Sequence, residues 1–418
     1  MRCAVVLALT FATTLSAQTT FDLTGYVAAR GVNATGPASW LEGGFGRLEA
    51  GGDRDDFTAL AHLGVDWHPT RWLDLHASGV ARRDPDGFGG DDAGLVEAFA
   101  DVRREIGLDE LRLRGGFFFL PTSKENKDDN WASPYTIRFS ALNTWIGEEV
   151  RPLGLDLQYR RTTGAGHTIT GGATAFRGND TMGTLLGWRG WSVGDRLTSY
   201  GEVLPLPPLG SLEPSGPFRR QRDDGTTPFT KDLDGHTGYS ARIRYGIPQR
   251  GNIQYTYLDN GGDRWLYPVT DPVTESGEYS WETRFHLLGL EVGDPDNFTV
   301  AAEYLRGETY MGLETNPNFV EAGFWATYLL VSEKRGRNRL TARYELFATE
   351  EEDNTPLGED NDESGKSWTL TWMLDVTPAI RGAVEFTQIS GNREAALQYG
   401  FDPSTTGRSF TAEVRYRF

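Results

Sequence analysis

Hydrophobic and polar residues alternate along most of this chain with a period of two, which predicts extended β-strands rather than helices. The segment 408–418 shows the alternation without interruption: Phe410 and Val414 fall on one face, and Thr411 and Glu413 fall on the other. A strand that ends on an aromatic residue suits a membrane barrel, in which the apolar face meets lipid and the polar face meets a water-filled lumen. The alternative is an amphipathic strand of a soluble sheet.

The same alternation recurs in sixteen segments, arranged as seven hairpins between a first strand at about 21–30 and the terminal strand. The turns inside the hairpins are short and lie at 68–71, 105–110, 161–167, 247–251, 292–297, 332–338 and 376–379. The connections between hairpins are longer and lie at 31–56, 83–93, 121–151, 178–237, 260–280, 308–318, 350–366 and 390–407. Bacterial membrane barrels have an even number of strands, short periplasmic turns and long outer loops. We therefore predict an all-β fold, a closed antiparallel transmembrane β-barrel of about 16 strands; a further hairpin at 188–202 would make 18.

The first 17 residues indicate export. Arg2 precedes the uncharged apolar run 3–15 and the small pair Ser16 and Ala17, which is the pattern of a secretory signal. We expect a signal peptide at 1–17 and a single barrel domain at 18–418 whose loop at about 121–151 folds inward. The one cysteine, Cys3, leaves with the signal, so neither a disulfide framework nor a thiolate metal site is predicted, and no cofactor is expected. With 59 acidic and 41 basic residues, the chain is not expected to bind nucleic acid.

The predicted loop 121–151 carries many aromatic side chains, which are unfavourable in water and are expected to pack inside the lumen. There the loop would set the aperture of a channel. Its candidate constriction residues are Lys124, Lys127, Trp131, Tyr135, Glu148 and Glu149. The predicted loop 178–237 is too long for plain coil in a compact domain, and whether it plugs the lumen stays open.

A set of arginines lies on the polar faces of the predicted strands or in the third loop. A guanidinium group stays protonated and binds oxyanions in a bidentate fork, so a line of arginines favours anions. The predicted pore-lining arginines are Arg112, Arg114, Arg138, Arg160, Arg242, Arg244, Arg284 and Arg343. The alternative is that they pair with acidic neighbours on adjacent strands and merely shape the field. His62 and His76 show no zinc-binding spacing and are predicted to be ordinary polar groups of the lumen.

Several segments resemble Gram-negative porins, and most of all the family of phosphate-selective porins O and P. These segments are 111–121, RYELF at 343–347 with the acidic run at 350–353, GKSWTL at 365–370, RGAVEF at 381–386 and the terminal strand. The resemblance implies a 16-stranded trimeric barrel, an inward third loop, and anion passage along lumen arginines with lysines at the mouth. The chain departs from this pattern because it has only five lysines.

The predicted function is that of an outer-membrane porin, a passive water-filled channel for small polar or anionic solutes. Expected partners are lipid and lipopolysaccharide of the Gram-negative outer membrane, small solutes and the barrel-assembly machinery, with a homotrimer as the expected assembly. Tyr416 and Phe418 are the expected terminal assembly signal. No catalytic residue is predicted. Two alternatives stay open: an outer-membrane barrel enzyme of protease or lipase type, and a secreted β-sandwich binding protein.

Overall fold

A computed structural model of the chain describes residues 20–223, 231–268, 277–314, 319–353 and 358–418. Sixteen strands close into one antiparallel barrel, in which β1 pairs with β18 to complete the ring. The barrel strands are β1 (Thr20–Thr35), β2 (Arg54–Thr70), β3 (Leu73–Arg83), β4 (Ala93–Ile106), β5 (Asp109–Phe117), β6 (Leu153–Thr162), β7 (Thr168–Arg177), β8 (Gly238–Ile247), β9 (Gly251–Asp259), β12 (Trp281–Gly293), β13 (Phe298–Met311), β14 (Val320–Arg335), β15 (Asn338–Glu351), β16 (Glu363–Asp375), β17 (Ile380–Arg393) and β18 (Ser404–Arg417). The short strands β10 (Leu266–Pro268) and β11 (Gly277–Tyr279) pair with each other in the connection between β9 and β12.

The helices are short and lie in the connections. They are α1 (Ala141–Glu149), α2 (Thr184–Trp188) and α3 (Arg219–Asp223), with 3₁₀ turns at Trp40–Glu42, Asp129–Trp131, Gly210–Leu212 and Glu394–Tyr399. Within the described ranges, no helix has the length and apolar character needed to cross a membrane.

The prediction of a closed 16-stranded barrel with short turns and long loops in alternation is confirmed. The 18-strand alternative is wrong, because 188–202 forms no hairpin of the wall. Residues 188–199 are buried, and Val193 among them bridges to Leu48 of another connection. The β-sandwich alternative is also wrong, because the strands form one closed ring and not two facing sheets. The predicted signal peptide at 1–17 lies outside the described residues.

Apolar side chains cover the outside of the barrel. On β16 and β18, Trp368, Leu370 and Val414 are 51%, 52% and 61% exposed, whereas the inward Thr369 and Thr411 are fully buried. In a soluble protein the apolar side chains would point inward and the polar ones outward. A continuous exposed apolar band is unfavourable in water. The wall therefore suits a lipid surround, as in transmembrane barrels.

Three connections fold into the barrel: L1 (36–53), L3 (118–152) and L4 (178–237), the last described up to 223 and from 231. Tryptophans of L3 and L4 pack on inward residues of the wall: the ring centroid of Trp145 lies 5.5 Å from that of Phe285, and that of Trp188 lies 5.1 Å from that of Trp281. The prediction that the polar face of the terminal strand meets open water is therefore wrong along that wall. Thr411, for example, accepts a hydrogen bond from Arg138 of L3 at 2.5 Å.

Candidate functional site

A buried arginine of β15 binds L3 to the wall. Arg343 has no exposed surface and forms ion pairs with Glu125 of L3 and, at 2.8 Å, with Glu345 of its own strand. Its guanidinium also donates to the backbone carbonyls of Arg138 and Phe139, each at 2.8 Å. A planar guanidinium with five N–H donors is suited to hold several acceptors at once. Arg343 is therefore a main contact of L3 with the wall. It acts beside Glu385 of β17, which accepts the N–H groups of Ile137 and Arg138 at 2.6 and 3.1 Å.

L3 continues into α1, which is buried along its whole length. Ser140 caps the helix, because its hydroxyl accepts the Asn143 N–H at 3.2 Å, and Glu345 of the wall accepts the Ala141 N–H at 2.6 Å. The last turn faces L4: Glu148 pairs with Arg189 at 2.6 Å, and Glu149 accepts the Leu185 N–H at 3.0 Å. Burial raises the pKa of Glu149 to about 7. These two predicted constriction residues thus join L3 to L4 and do not face a channel.

A crevice lies between β1–β3 and the loops packed inside the barrel. It holds about 720 Å³ of atom-free space, but the centre of a water molecule can occupy only about 50 Å³ of it, so the crevice is narrow. Its polar lining comprises Tyr26, Arg30, Glu49, Thr58, His62, Arg82, Asp84, Asn130, Arg138, Asp195 and Arg196.

The charges of the crevice are largely paired. Arg30 of β1 binds Asp195 of L4 through two hydrogen bonds of 2.9 and 2.6 Å and also binds Glu413 of β18 at 2.8 Å. Burial alone would raise the pKa of Asp195, but the neighbouring Arg30 lowers it below the usual range. The half-buried Glu49 accepts the Asp195 N–H at 2.9 Å. Burial, and then the charge of Asp195, raises the pKa of Glu49 to about 7, so this group titrates near neutral pH.

A wider vestibule lies at the short-turn end of the barrel. It holds about 1080 Å³ of atom-free space, about 440 Å³ of it available to the centre of a water molecule. Its polar lining comprises His76, Glu97, Arg114, Ser123, Lys124, Asn126, Lys127, Asp128, Arg244, Gln254 and Glu291. Asn130 of L3 lines both the vestibule and the crevice, so the two cavities adjoin at this residue.

The vestibule wall carries more positive charge than its acidic partners neutralise. Asp101 of β4 is shared by Arg112 at 2.6 Å and Arg114 at 3.1 Å, whereas Arg103 pairs more closely with Asp74, at 3.3 Å. Arg244 on β8 is exposed to the lumen and forms no ion pair with any residue that the structure describes. The vestibule therefore has a local excess of cationic groups in a chain that is acidic as a whole.

The two predicted constriction lysines and the two predicted aromatic residues lie in the first half of L3. Lys124 donates to Gln254 of β9 at 3.0 Å, and Lys127 pairs with Glu291 of β12. Burial, and then the charge of Arg244, lowers the pKa of Lys124 to about 8. Trp131 stacks on Phe119 with 4.3 Å between ring centroids, which closes one side of the vestibule. Tyr135 is fully buried, below the guanidinium of Arg339, and does not face either cavity.

The remaining predicted arginines lie apart from one another. Arg242 is buried and pairs with Asp156 at 2.5 Å, and the exposed Arg160 pairs with Glu110 at 3.1 Å. Arg284 lies on the outer face of β12. Phe285 and every second residue on either side of it point inward, so Arg284 points outward. The prediction that Arg284 lines the pore is therefore wrong.

Tyr416 and Phe418 lie on the outer face at the closing seam of the barrel, with 6.1 Å between their ring centroids. The backbone N–H and C=O of Phe418 both pair with Gly25 of β1, each at 3.1 Å. The last residue thus extends the ladder that closes the ring.

The residues that sequence reasoning missed are those of the crevice, chiefly Arg30, Glu49, Arg82, Asp195 and Arg196. Arg196 pairs with Asp84 and Glu202, each at 2.6 Å, which joins L4 to the connection after β3. The length and aromatic content of the segment 178–237 predict that it packs against other parts of the chain, but they do not predict where in the barrel it lies.

Proteins of known structure share this fold. The outer membrane channel DcaP of Acinetobacter baumannii aligns over 97% of this chain and 99% of its own, with 11% identity and a TM-score of 0.53. OmpF of Salmonella typhi, solved with daunomycin, aligns over 95% and 97%, with 11% identity and a TM-score of 0.52. OmpT of Vibrio cholerae, an outer membrane protein in trimer form, aligns over 96% and 99%, with 12% identity and a TM-score of 0.51. No protein-family model and no curated protein sequence matches the chain. At these identities the likeness is one of fold.

Proposed function

We propose that the protein is a passive channel of the Gram-negative outer membrane through which small polar solutes diffuse. One observation carries the proposal: a barrel with an apolar exterior encloses two polar cavities that adjoin at Asn130. Polar walls replace part of the hydration of a solute, so that it crosses without energy input. The fold shared with the DcaP channel supports this proposal. Export by the segment 1–17, contact with lipopolysaccharide and assembly by the barrel-assembly machinery belong to the same proposal.

We further propose a weak preference for anions. Its basis is the vestibule and the wall beside it, where Arg112 and Arg114 share Asp101 and where Arg244 has no ion-pair partner among the described residues. With only five lysines in the chain, the proposal concerns small anions in general rather than phosphate in particular. The homotrimer remains part of the proposal, supported by the trimer form of the Vibrio cholerae OmpT fold relative.

Liposome swelling tests the channel. Proteoliposomes in an iso-osmotic solution of a small neutral solute are expected to swell at a rate that falls steeply as solute size increases. Swelling no faster than in protein-free liposomes would contradict the proposal. Hydrolysis of lipid or peptide substrates by the same preparation would instead favour the enzyme alternative. Reversal potentials in a KCl gradient test the finer proposal, and a preference for K⁺ would overturn it.

A further inference from the structure

The crevice contains two buried polar side chains that lack hydrogen-bond partners. His62 is 1% exposed and Asn130 is 7% exposed, and both line the crevice. Neither Nε2 of His62 nor the amide oxygen and nitrogen of Asn130 meets a hydrogen-bond partner among the residues that the structure describes. Buried polar groups are nearly always paired, so these three atoms call for a ligand or solvent that supplies the bonds.

The amide of Asn130 is held in place by its surroundings. Asn130 and Trp131 both have a φ of 56°, in the left-handed region that is uncommon for residues other than glycine. The ring of Trp131 is fixed by stacking on Phe119. Gly64 of β2 lies opposite the amide. A Cβ atom at this position would lie 2.6 Å from Asn130 Oδ1, which is too close, so the absence of a side chain makes room for the amide. Backbone conformation, stacking and a missing side chain together hold the amide against the β2 wall.

The charged groups of the crevice are already engaged with one another. Arg30 is bound to Asp195 and Glu413, and Arg196 is bound to Asp84 and Glu202. An ion that stayed bound there would have to replace one partner of a buried pair, which is unfavourable. Nε of Arg138 also lacks a partner, but the guanidinium it belongs to donates to Thr411 at 2.5 Å and lies 3.7 Å from Glu385. The side chains in which every functional nitrogen or oxygen named above is left open are a neutral amide and an imidazole, which are suited to an uncharged molecule.

We propose that His62 and Asn130 form a binding site for a small uncharged solute that carries hydroxyl groups, such as a polyol or a sugar. A hydroxyl group both donates and accepts, and so matches the amide N–H, the amide oxygen and the imidazole nitrogen. Leu60, Val80 and Phe139 supply an apolar surface for the C–H groups of such a solute. Because Asn130 borders both cavities, the site deepens the channel proposed above and rests on it.

The test uses glucose and two variants, Asn130→Ala and His62→Phe, in the full-length protein. Glucose is expected to reduce the KCl current of the wild type in a saturable way. Each variant is expected to raise the concentration for half-maximal reduction by roughly tenfold, the effect of losing one or two hydrogen bonds. Arg160→Gln, which lies in the lining of neither cavity, serves as the matched control and should leave the glucose effect unchanged. KCl conductance and the unfolding temperature show that each variant is folded.

Binding of glucose to the detergent-solubilised protein, measured by calorimetry, separates the two proposals. A protein that conducts KCl but neither responds to glucose nor binds it would overturn the site and leave the channel intact. A protein that binds glucose through Asn130 but does not conduct would overturn the channel and retain the site. Wild-type glucose affinity in both Asn130→Ala and His62→Phe would also overturn the site.

Discussion

Replacing Arg343 by Met is expected to loosen L3 where it meets β15, while its bonds to Glu385 of β17 remain. The substitution keeps the bulk of the side chain but removes the ion pairs to Glu125 and Glu345 and two bonds to L3 carbonyls. Removing one partner of a buried ion pair costs about 3–5 kcal/mol, because the remaining charge stays buried without compensation. At 1.4 kcal/mol per factor of ten, this corresponds to roughly a hundredfold to a few thousandfold in the docking equilibrium of L3.

The barrel itself should persist, since its strand ladder does not use the Arg343 side chain. The assay is limited trypsin digestion of proteoliposomes combined with conductance. The wild type should resist cleavage at Lys124, which is buried, whereas Arg343→Met should be cut there and should show a larger and noisier conductance.

Arg160→Met, which breaks an exposed pair with Glu110, is the matched control and should behave like the wild type. Adding Glu125→Gln and Glu345→Gln to Arg343→Met should restore part of the protease resistance, because no unpaired charge then stays buried. Wild-type conductance and protease resistance in Arg343→Met would refute the role given to this residue.

Three further predictions follow from the cavities and the closing seam. The pKa of Glu49 is raised to about 7, so the group is mostly neutral at pH 5 and mostly ionised at pH 8. The anion preference from reversal potentials should therefore fall more steeply across this range in the wild type than in Glu49→Gln, in which only other groups such as Lys124 still titrate; equal slopes would contradict this. Arg244→Gln should lower the anion preference at pH 7, with Arg160→Gln as control, and an unchanged reversal potential would count against the vestibule. Deleting Phe418 removes two backbone bonds to Gly25 and should lower the temperature at which the barrel loses its heat-modifiable gel mobility, whereas Phe418→Ala, which keeps both bonds, should lower it less.

The architecture could be predicted from the sequence because each wall strand presents one face to lipid. β18 is the clearest case, with outward Phe410 and Val414 and inward Thr411 and Glu413. Strand ends were less predictable. β13, for example, continues to Met311 and so takes in the first four residues of the predicted loop 308–318. Strands extend into the polar zone above the apolar band, where the alternation of polarity fades.

The prediction of side-chain orientation was wrong on a strand that carries apolar residues on both faces. On β12, Phe285 and Leu287 point inward to the packed loops, while Leu288 and Leu290 point outward, so the alternation does not distinguish lumen from lipid. Arg284 was assigned to the wrong face for this reason.

The crevice could not be predicted because it is assembled by contacts between distant parts of the chain. Arg30 meets Asp195 across 165 residues of sequence, and Asn130 meets the wall at Gly64. Neither pairing leaves a local pattern, since each depends on how L1, L3 and L4 share the space inside the ring. The length and aromatic content of the connections indicate only that they pack.

Single-channel recording in planar lipid bilayers tests the central claim most directly. Purified, folded protein inserted at low density in symmetric KCl should produce discrete, long-lived open steps with a linear current–voltage relation. Inserted protein with the heat-modifiable mobility of a folded barrel but without conductance steps would contradict a channel through the crevice and the vestibule.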